Sequence, residues 1–216
     1  MYNPSHFEET RPEVLRDLIV AHPLGALVTL TAAGLDANHL PFEFATDCGP
    51  LGTLRGHVAR ANPLWKDFSP GVDVLVIFQG PASYITPSWY ETKKETGKVV
   101  PTYNYCTVHA HGPLRVHDDR AWLRGLVTRL TQRFESARSA PWAVADAPPD
   151  FIDQQLVAIV GIEIPLAKLT GKWKVSQNRP AADRAGVVHG LRAQANAPSS
   201  AMADLVRDFG KPNSAP

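Results

Sequence analysis

The chain has 216 residues, 44% of them hydrophobic and 20% charged, and a formal net charge of +1. That length and balance suit a chain with a sizeable folded core and exclude a disordered one. The near-neutral charge gives no sign of the basic excess that a dedicated duplex binder gathers on one face.

In chain order, Thr10 and Glu13 have capping-box spacing, and Val14, Leu15, Leu18 and Ile19 form one stripe of a helix that Pro23 ends. Strand-like runs follow at Leu24–Thr31, Ala37–Ala45 and Leu51–Val58, joined by turn-rich segments. Asn62-Pro63 reads as a cap and first helical residue of a short helix reaching Phe68. Val72–Phe78 predicts the central strand and Ala82–Thr86 another, before an irregular excursion through Trp89 to Lys98. Tyr103–His117 reads as one long strand.

Asp118 is expected to cap the clearest helix, with Leu123, Leu126, Val127, Leu130 and Phe134 on one face. Ser136–Pro149 reads as a loop and Val157–Ile164 as a strand. Met202, Leu205, Val206 and Phe209 predict a short docked helix ended by Gly210. Short antiparallel strands with short joins predict a mainly β, α+β domain. One domain is expected over residues 1–192, followed by a tail at 193–216 that carries the docked helix.

No apolar run is long enough to cross a bilayer, and Met1-Tyr2-Asn3-Pro4 opens the chain without a leader pattern. The two cysteines, Cys48 and Cys106, read as free thiols in a reducing compartment, so cytoplasmic residence and no membrane partner are expected.

Five clusters crowd polar and aromatic residues where a plain barrel needs none: Asn38–Pro41, Arg55–Pro63, Tyr84–Tyr90, Val100–Tyr105 and Trp173–Pro180. Arg55 and His57 alternate on one strand face ahead of a helix start near Asn62, with Arg60 beside it. Those are the parts of an anion site, or of an ordinary solvated strand face. Tyr84, Trp89, Tyr90, Tyr103 and Tyr105 offer flat surface for a planar heteroaromatic ligand, each contact worth about a kcal/mol, or else pack a core or an interface.

His109 and His111 share a strand face, but a metal needs three or four convergent ligands, so no metal is expected. Neither a nucleophile elbow nor a dinucleotide fingerprint is present. Arg120, Arg124, Arg129 and Arg133 flank both sides of an apolar helix stripe rather than forming one basic face.

Six segments in register, Met1–Phe7, Asn38–Pro41, Gly56–Pro63, Tyr84–Tyr90, Val99–Tyr105 and Ser176–Pro180, resemble the PaiB family, described as FMN-binding negative transcriptional regulators. The resemblance runs to about residue 180. One departure is Tyr103, where tryptophan is expected. The resemblance implies a split β-barrel of the pyridoxamine-phosphate-oxidase type, dimeric, with FMN at the subunit interface. It further implies that Arg55, His57 and Asn62 hold the phosphate, with Lys98 as another cation, and that Asn38 and His39 face the isoalloxazine edge. Tyr84, Trp89, Tyr103 and Tyr105 are then expected to stack or close the pocket, and Gln177 and Asn178 to hydrogen-bond the ring or ribityl chain.

Three functions compete on this reading. One is a repressor biased by FMN, although neither helix-turn-helix spacing nor a basic surface backs direct DNA contact. The second is an FMN-dependent oxidoreductase, in which flavin carries the chemistry and no triad is needed. The third is a barrel that has lost its cofactor.

Overall fold

The computed structural model describes residues 1–46 and 48–209. Its first elements are a 3-10 turn (Ser5–Phe7), β1 (Glu8–Glu9), α1 (Pro12–Ala21), β2 (Leu24–Thr31), β3 (Gly34–Pro41), β4 (Glu43–Ala45), β5 (Thr53–Ala59) and α2 (Leu64–Asp67). There follow β6 (Val74–Ile85), a 3-10 turn (Pro87–Trp89), α3 (Thr92–Thr96), β7 (Thr102–Gly112), β8 (Arg115–His117) and α4 (Arg120–Glu135). A 3-10 turn (Val144–Asp146), α5 (Pro149–Val157), β9 (Ile159–Pro165), β10 (Lys168–Lys174), α6 (Ala181–Ala193) and α7 (Ala197–Asp208) complete it. None of the described helices is long and apolar enough to cross a membrane.

The chain divides into two compact units. The first comprises Met1–Leu15, Gln79–Val108 and the described residues from Thr170 on; the second comprises Arg16–Phe78 and His109–Leu169.

In the second unit, β2 and β3 pair antiparallel from Leu24↔Pro41 to Thr31↔Gly34, and β2 pairs with the start of β6. The two-residue connection closes on Gly34, whose φ of +115° suits glycine, and the Thr31 hydroxyl donates to the Gly34 carbonyl. A separate antiparallel sheet has the order β4-β5-β9-β8. Leu27, Phe42, Leu54, Val76, Phe78, Ile162 and Ile164 are wholly buried. Each such side chain contributes roughly 1.5–3 kcal/mol.

Over this sheet's neighbourhood α4 buries Leu123, Leu126 and Leu130, and Leu123 packs with Ile152 and Leu156 of α5. The cap of α4 is Asp119, one residue later than expected; its carboxylate accepts from the Trp122 N–H at 2.7 Å. Asp119→Ala is expected to lower stability by about 1 kcal/mol, read as a small fall in urea midpoint with unchanged slope.

In the first unit, β1 pairs with β10 through Glu8↔Lys172 and Glu9↔Gly171, and the strands follow the order β1-β10-β7-β6. Here α7 buries Met202, Ala203 and Val206 and packs on α6, which buries Val187 and Leu191. Asn196 caps α7 by accepting from the Ser199 N–H at 2.9 Å. The expected stop at Gly210 lies outside the described residues.

Several expectations change, each for a local reason. The run Ala37–Ala45 divides because Phe42 turns inward, wholly buried, with its N–H on the Pro23 carbonyl. The run Tyr103–His117 divides at Gly112-Pro113, where proline has no N–H for the ladder. Conversely Gly80-Pro81 does not break the chain, so two expected strands are one, β6. Pro149 proves to be the first residue of α5 rather than the end of a loop. The helix start at α1 is Pro12, so Thr10 is not its cap; Arg11 instead clamps the buried Glu9 carboxylate with Nε at 2.9 Å and Nη2 at 2.5 Å.

Candidate functional site

The second unit's four-stranded sheet carries a row of charges. Directly opposed residues of an antiparallel sheet project to the same face, and the register aligns Glu43 (β4), Arg55 (β5), Glu163 (β9) and Arg115 (β8). The signs therefore alternate across all four strands. Arg55 Nε donates to Glu163 Oε2 at 3.1 Å and its Nη2 approaches Cys48 Sγ at 3.0 Å; Arg115 lies 3.8 Å from Glu163. Glu43 is held by Arg129 of α4 at 2.5 and 2.9 Å.

The next row on this face is His57, Gly161 and His117. Trp122 of α4 fills the space above Gly161, where a Cβ would stand 2.3 Å from the indole, and stacks on His117 at 4.3 Å with the rings 3° from parallel. His57 Nδ1 and His117 Nε2 are buried without a hydrogen-bond partner; the latter is 3.5 Å from Glu163. Three arginines and two histidines thus surround two carboxylates. The charge of Arg55 and Arg115 beside two unpaired imidazole nitrogens is compatible with a phosphate monoester such as that of FMN.

The polar residues near α2 are bound to one another. The N-cap of α2 is Pro63 rather than the expected Asn62, whose Oδ1 still accepts from the Leu64 N–H at 2.9 Å while its Nδ2 donates to Asn38 Oδ1 at 2.7 Å. Asn38 in turn donates to Asp36 at 2.8 Å, and His39 is exposed on β3. Arg60 is committed to Asp118 at 2.9 and 2.5 Å and to the carbonyls of Val157 and Ile159. That pairing explains why Asp118, expected as a helix cap, serves otherwise.

The remaining sequence-predicted residues lie in the first unit. Tyr84 and Tyr103 form an edge-on pair at 5.9 Å and are 49% and 59% exposed. Tyr105 lies under the Lys172 ammonium, 5.5 Å from its ring centre. Trp89 is packed on α6 at Gly186 and Gly190. Lys98 is exposed just beyond α3. Both ends of the Gln177 amide serve the backbone, accepting from Val175 N–H at 2.7 Å and donating to the Trp173 carbonyl, which braces a turn in which Ser176 has φ of +64°.

Asn178 lines a cavity of about 220 Å³. Its apolar wall is Phe7, Tyr90, Val100 and Pro101, and Thr102, Asn104 and Ser176 add neutral polar groups. Lys174 and Arg179 add two cations. On β7, Thr102 and Asn104 line this cavity while Tyr103 and Tyr105 alternate with them, so one strand serves two faces.

The sequence marks Lys174 and Arg179 only as members of the Trp173–Pro180 cluster and does not single out Glu163, Arg115, His117 or Trp122. A lone carboxylate inside the apolar run Val160–Ile164 was the available signal for Glu163. Among the described residues no group of three or more His, Cys, Asp or Glu side chains is placed to hold a metal.

Burial holds the His57 imidazole below the ordinary histidine range, and burial does the same, ahead of other causes, for His109 and His111. These groups bind protons more readily when unfolded, near pH 6.5. Stability attached to their neutral forms is therefore present above about pH 6.5 and is lost as pH falls toward their folded values. The melting temperature of the cofactor-free protein is expected to drop between about pH 7 and pH 5, and His57→Asn to flatten that drop. An unchanged pH profile in His57→Asn would exclude His57 as a source.

A family profile described as "Putative FMN-binding domain" matches residues 1–168. The protease synthase and sporulation protein PAI 2 of Bacillus subtilis is 32% identical over 208 residues, covering 96% of this chain and 97% of that protein. An Emericella nidulans protein is 34% identical, with 98% of each chain covered. Among solved structures, the FAD and heme binding protein of Mycobacterium smegmatis superposes with a TM-score of 0.58 at 18% identity, covering 77% of this chain and 73% of that one. The flavocytochrome Anf3 of Azotobacter vinelandii gives 0.57 at 12% identity, over 77% and 69%. The fold is thus the α+β split barrel that these flavoproteins share, with antiparallel sheets and peripheral helices. By the extent of both sequence matches, the chain belongs to the PaiB-type FMN-binding family.

Proposed function

We propose that this protein binds FMN as a cytoplasmic homodimer and acts as a negative regulator of transcription of the PaiB type. The observation that carries this reading is the extent of the Bacillus relative. Its match covers 96% of the chain, well beyond the FMN-binding profile at residues 1–168, so the region of α6 and α7 belongs to the shared protein. The full-length likeness supports a shared role better than a shared domain would.

In this reading His57 and His117 turn their unpaired imidazole nitrogens to the FMN phosphate, and Arg55 supplies charge beside them while tied to Glu163. Asn62 and Asn38 hold each other in place near the start of α2. His39 faces the ring edge, and in the first unit Gln177 fixes the backbone turn that carries Asn178. Tyr84 and Tyr103, exposed as a pair, give flat surface to the flavin or to the second subunit. Bound FMN supplies hydride and single-electron chemistry; the protein binds, orients and tunes it.

A second reading, a flavin-dependent oxidoreductase, is favoured by one observation. Three of the four arginines of α4 are committed within the second unit: Arg124 to Asp153, Arg129 to Glu43, and Arg133 to the carbonyls of Val20 and Phe42, while Arg120 at its start is exposed. This helix therefore presents no row of guanidiniums to a phosphate backbone.

Purified protein is expected to take up FMN saturably and to sediment as a dimer. FMN-loaded protein is then tested for a mobility shift on promoter DNA across salt concentrations, and for anaerobic bleaching by reduced nicotinamides. A specific, salt-dependent shift supports the regulator. Rapid bleaching without any shift supports the oxidoreductase. No FMN uptake removes both.

A further inference from the structure

The first unit's cavity has the composition of a binding site. It is about 220 Å³, smaller than the ~300–1,000 Å³ of sites that hold drug-sized ligands. A whole FMN, with three fused rings, a ribityl chain and a phosphate, exceeds it. A single ring bearing a small charged group does not.

The walls state which charge. Lys174 and Arg179 line the cavity and no carboxylate does. Lys174 Nζ donates to the Thr102 hydroxyl, which holds the ammonium at the wall, and Arg179 lies 4.5 Å over the Tyr90 ring. The nearest acid on α6, the wholly buried Asp183, is taken up by the Thr92 N–H and hydroxyl at 3.0 and 2.8 Å. Asn104 is 1% exposed, and its amide donates to the Ser176 hydroxyl at 2.8 Å while Oδ1 has no partner. Either orientation of that amide leaves one end unsatisfied, and an unsatisfied buried amide is costly unless something completes it. Phe7, Val100 and Pro101 add apolar wall, and Tyr90, 1% exposed beneath Arg179, backs the cationic side.

We propose that this cavity binds a small aromatic carboxylate, at a site separate from the FMN phosphate residues of the second unit. Arg179 and Lys174 hold the carboxylate, assisted by Ser176 and Asn178, and the ring lies against Phe7, Val100 and Pro101. The inference does not rest on the regulatory reading; it gives a flavoprotein of this family a second small-molecule ligand, as effector or as substrate.

Full-length protein, with and without bound FMN, is titrated with benzoate by calorimetry. The expected result is saturable binding of one benzoate per chain, at least tenfold tighter than benzamide, unaffected by FMN. Arg179→Gln and Lys174→Gln are each expected to weaken it tenfold or more, and Arg179→Lys to retain most of it, with FMN affinity and circular dichroism unchanged in all three. Four results overturn the proposal: no saturable binding, equal affinity for benzamide, displacement by FMN, or tighter binding of inorganic phosphate than of benzoate. Failure of FMN uptake, by contrast, sinks the flavin reading and leaves the benzoate titration standing.

Discussion

Arg55→Met is expected to do two things at once: lower folding stability by roughly 2–3 kcal/mol and weaken FMN binding by at least tenfold. The first effect follows from Glu163. Its side chain is 13% exposed and is shared among Arg55 at 3.1 Å, the His117 imidazole at 3.5 Å and the more exposed Arg115 at 3.8 Å. Losing the nearer partner leaves a largely desolvated carboxylate with one distant counter-charge, a larger penalty than loss of a surface ion pair. The second effect follows from the same arithmetic at the cofactor: a phosphate entering beside Glu163 meets a carboxylate no longer neutralised.

The double variant Arg55→Met/Glu163→Met separates the two effects. It removes both charges of the pair, so stability is expected to recover most of the loss while FMN affinity stays low if Arg55 attracts the phosphate. Urea unfolding gives the first quantity and fluorescence quenching of added FMN gives the second. Full recovery of FMN affinity in the double variant would make Arg55 a structural counter-ion to Glu163 and nothing more.

Gly186→Ala is expected to be the most damaging small substitution in the first unit, costing about 3 kcal/mol, or a fall of roughly 10 °C in melting temperature for a chain of this size. A Cβ there would lie 1.9 Å from the Trp89 carbonyl oxygen, a backbone atom that cannot rotate away. Gly190→Ala meets a different neighbour, the Trp89 indole at 2.3 Å. The two variants therefore differ in what rescues them. Trp89→Leu is expected to restore much of the stability of Gly190→Ala and little of that of Gly186→Ala, as read by thermal melts of the four proteins. Equal rescue of both would show that the turn carrying Trp89 shifts freely, against the close packing of Trp89 on α6.

Those two glycines also show where sequence reasoning stops. Glycine lowers helix propensity by about 1 kcal/mol each, so the stretch Ala181–Ala193 offers a weak local signal, and its reason for being helical lies in Trp89, about a hundred residues earlier. The strands were legible where a polar side chain marks the more open face, as on β5, where Arg55 and His57 alternate with the buried Leu54, Gly56 and Val58; β2 carries no such mark, since it buries Gly25, Leu27 and Thr29 and leaves Ala26 and Val28 half-buried. The breaks were less so, because Pro81 sits inside β6 whereas Pro113 ends β7. At the candidate site, Arg55 and His57 sharing one face of β5 was readable from spacing of two. Their partners were not, since Glu163, Arg115 and His117 reach that face only through the register of three strands far apart in sequence. Tyr84 and Tyr103 were legible as a pair of exposed rings only after β6 and β7 were seen in the first unit's strand order.

The alternation along β7 has a consequence for how such a protein changes over time. Thr102 and Asn104 serve the cavity, while Tyr103 and Tyr105 serve the aromatic side. Point substitutions at even and odd positions can then be selected separately, so ligand preference on one side drifts without disturbing the other. A one-residue insertion or deletion in the same stretch exchanges both sets together. Descendants of this chain should thus differ freely in residue identity here and very little in spacing.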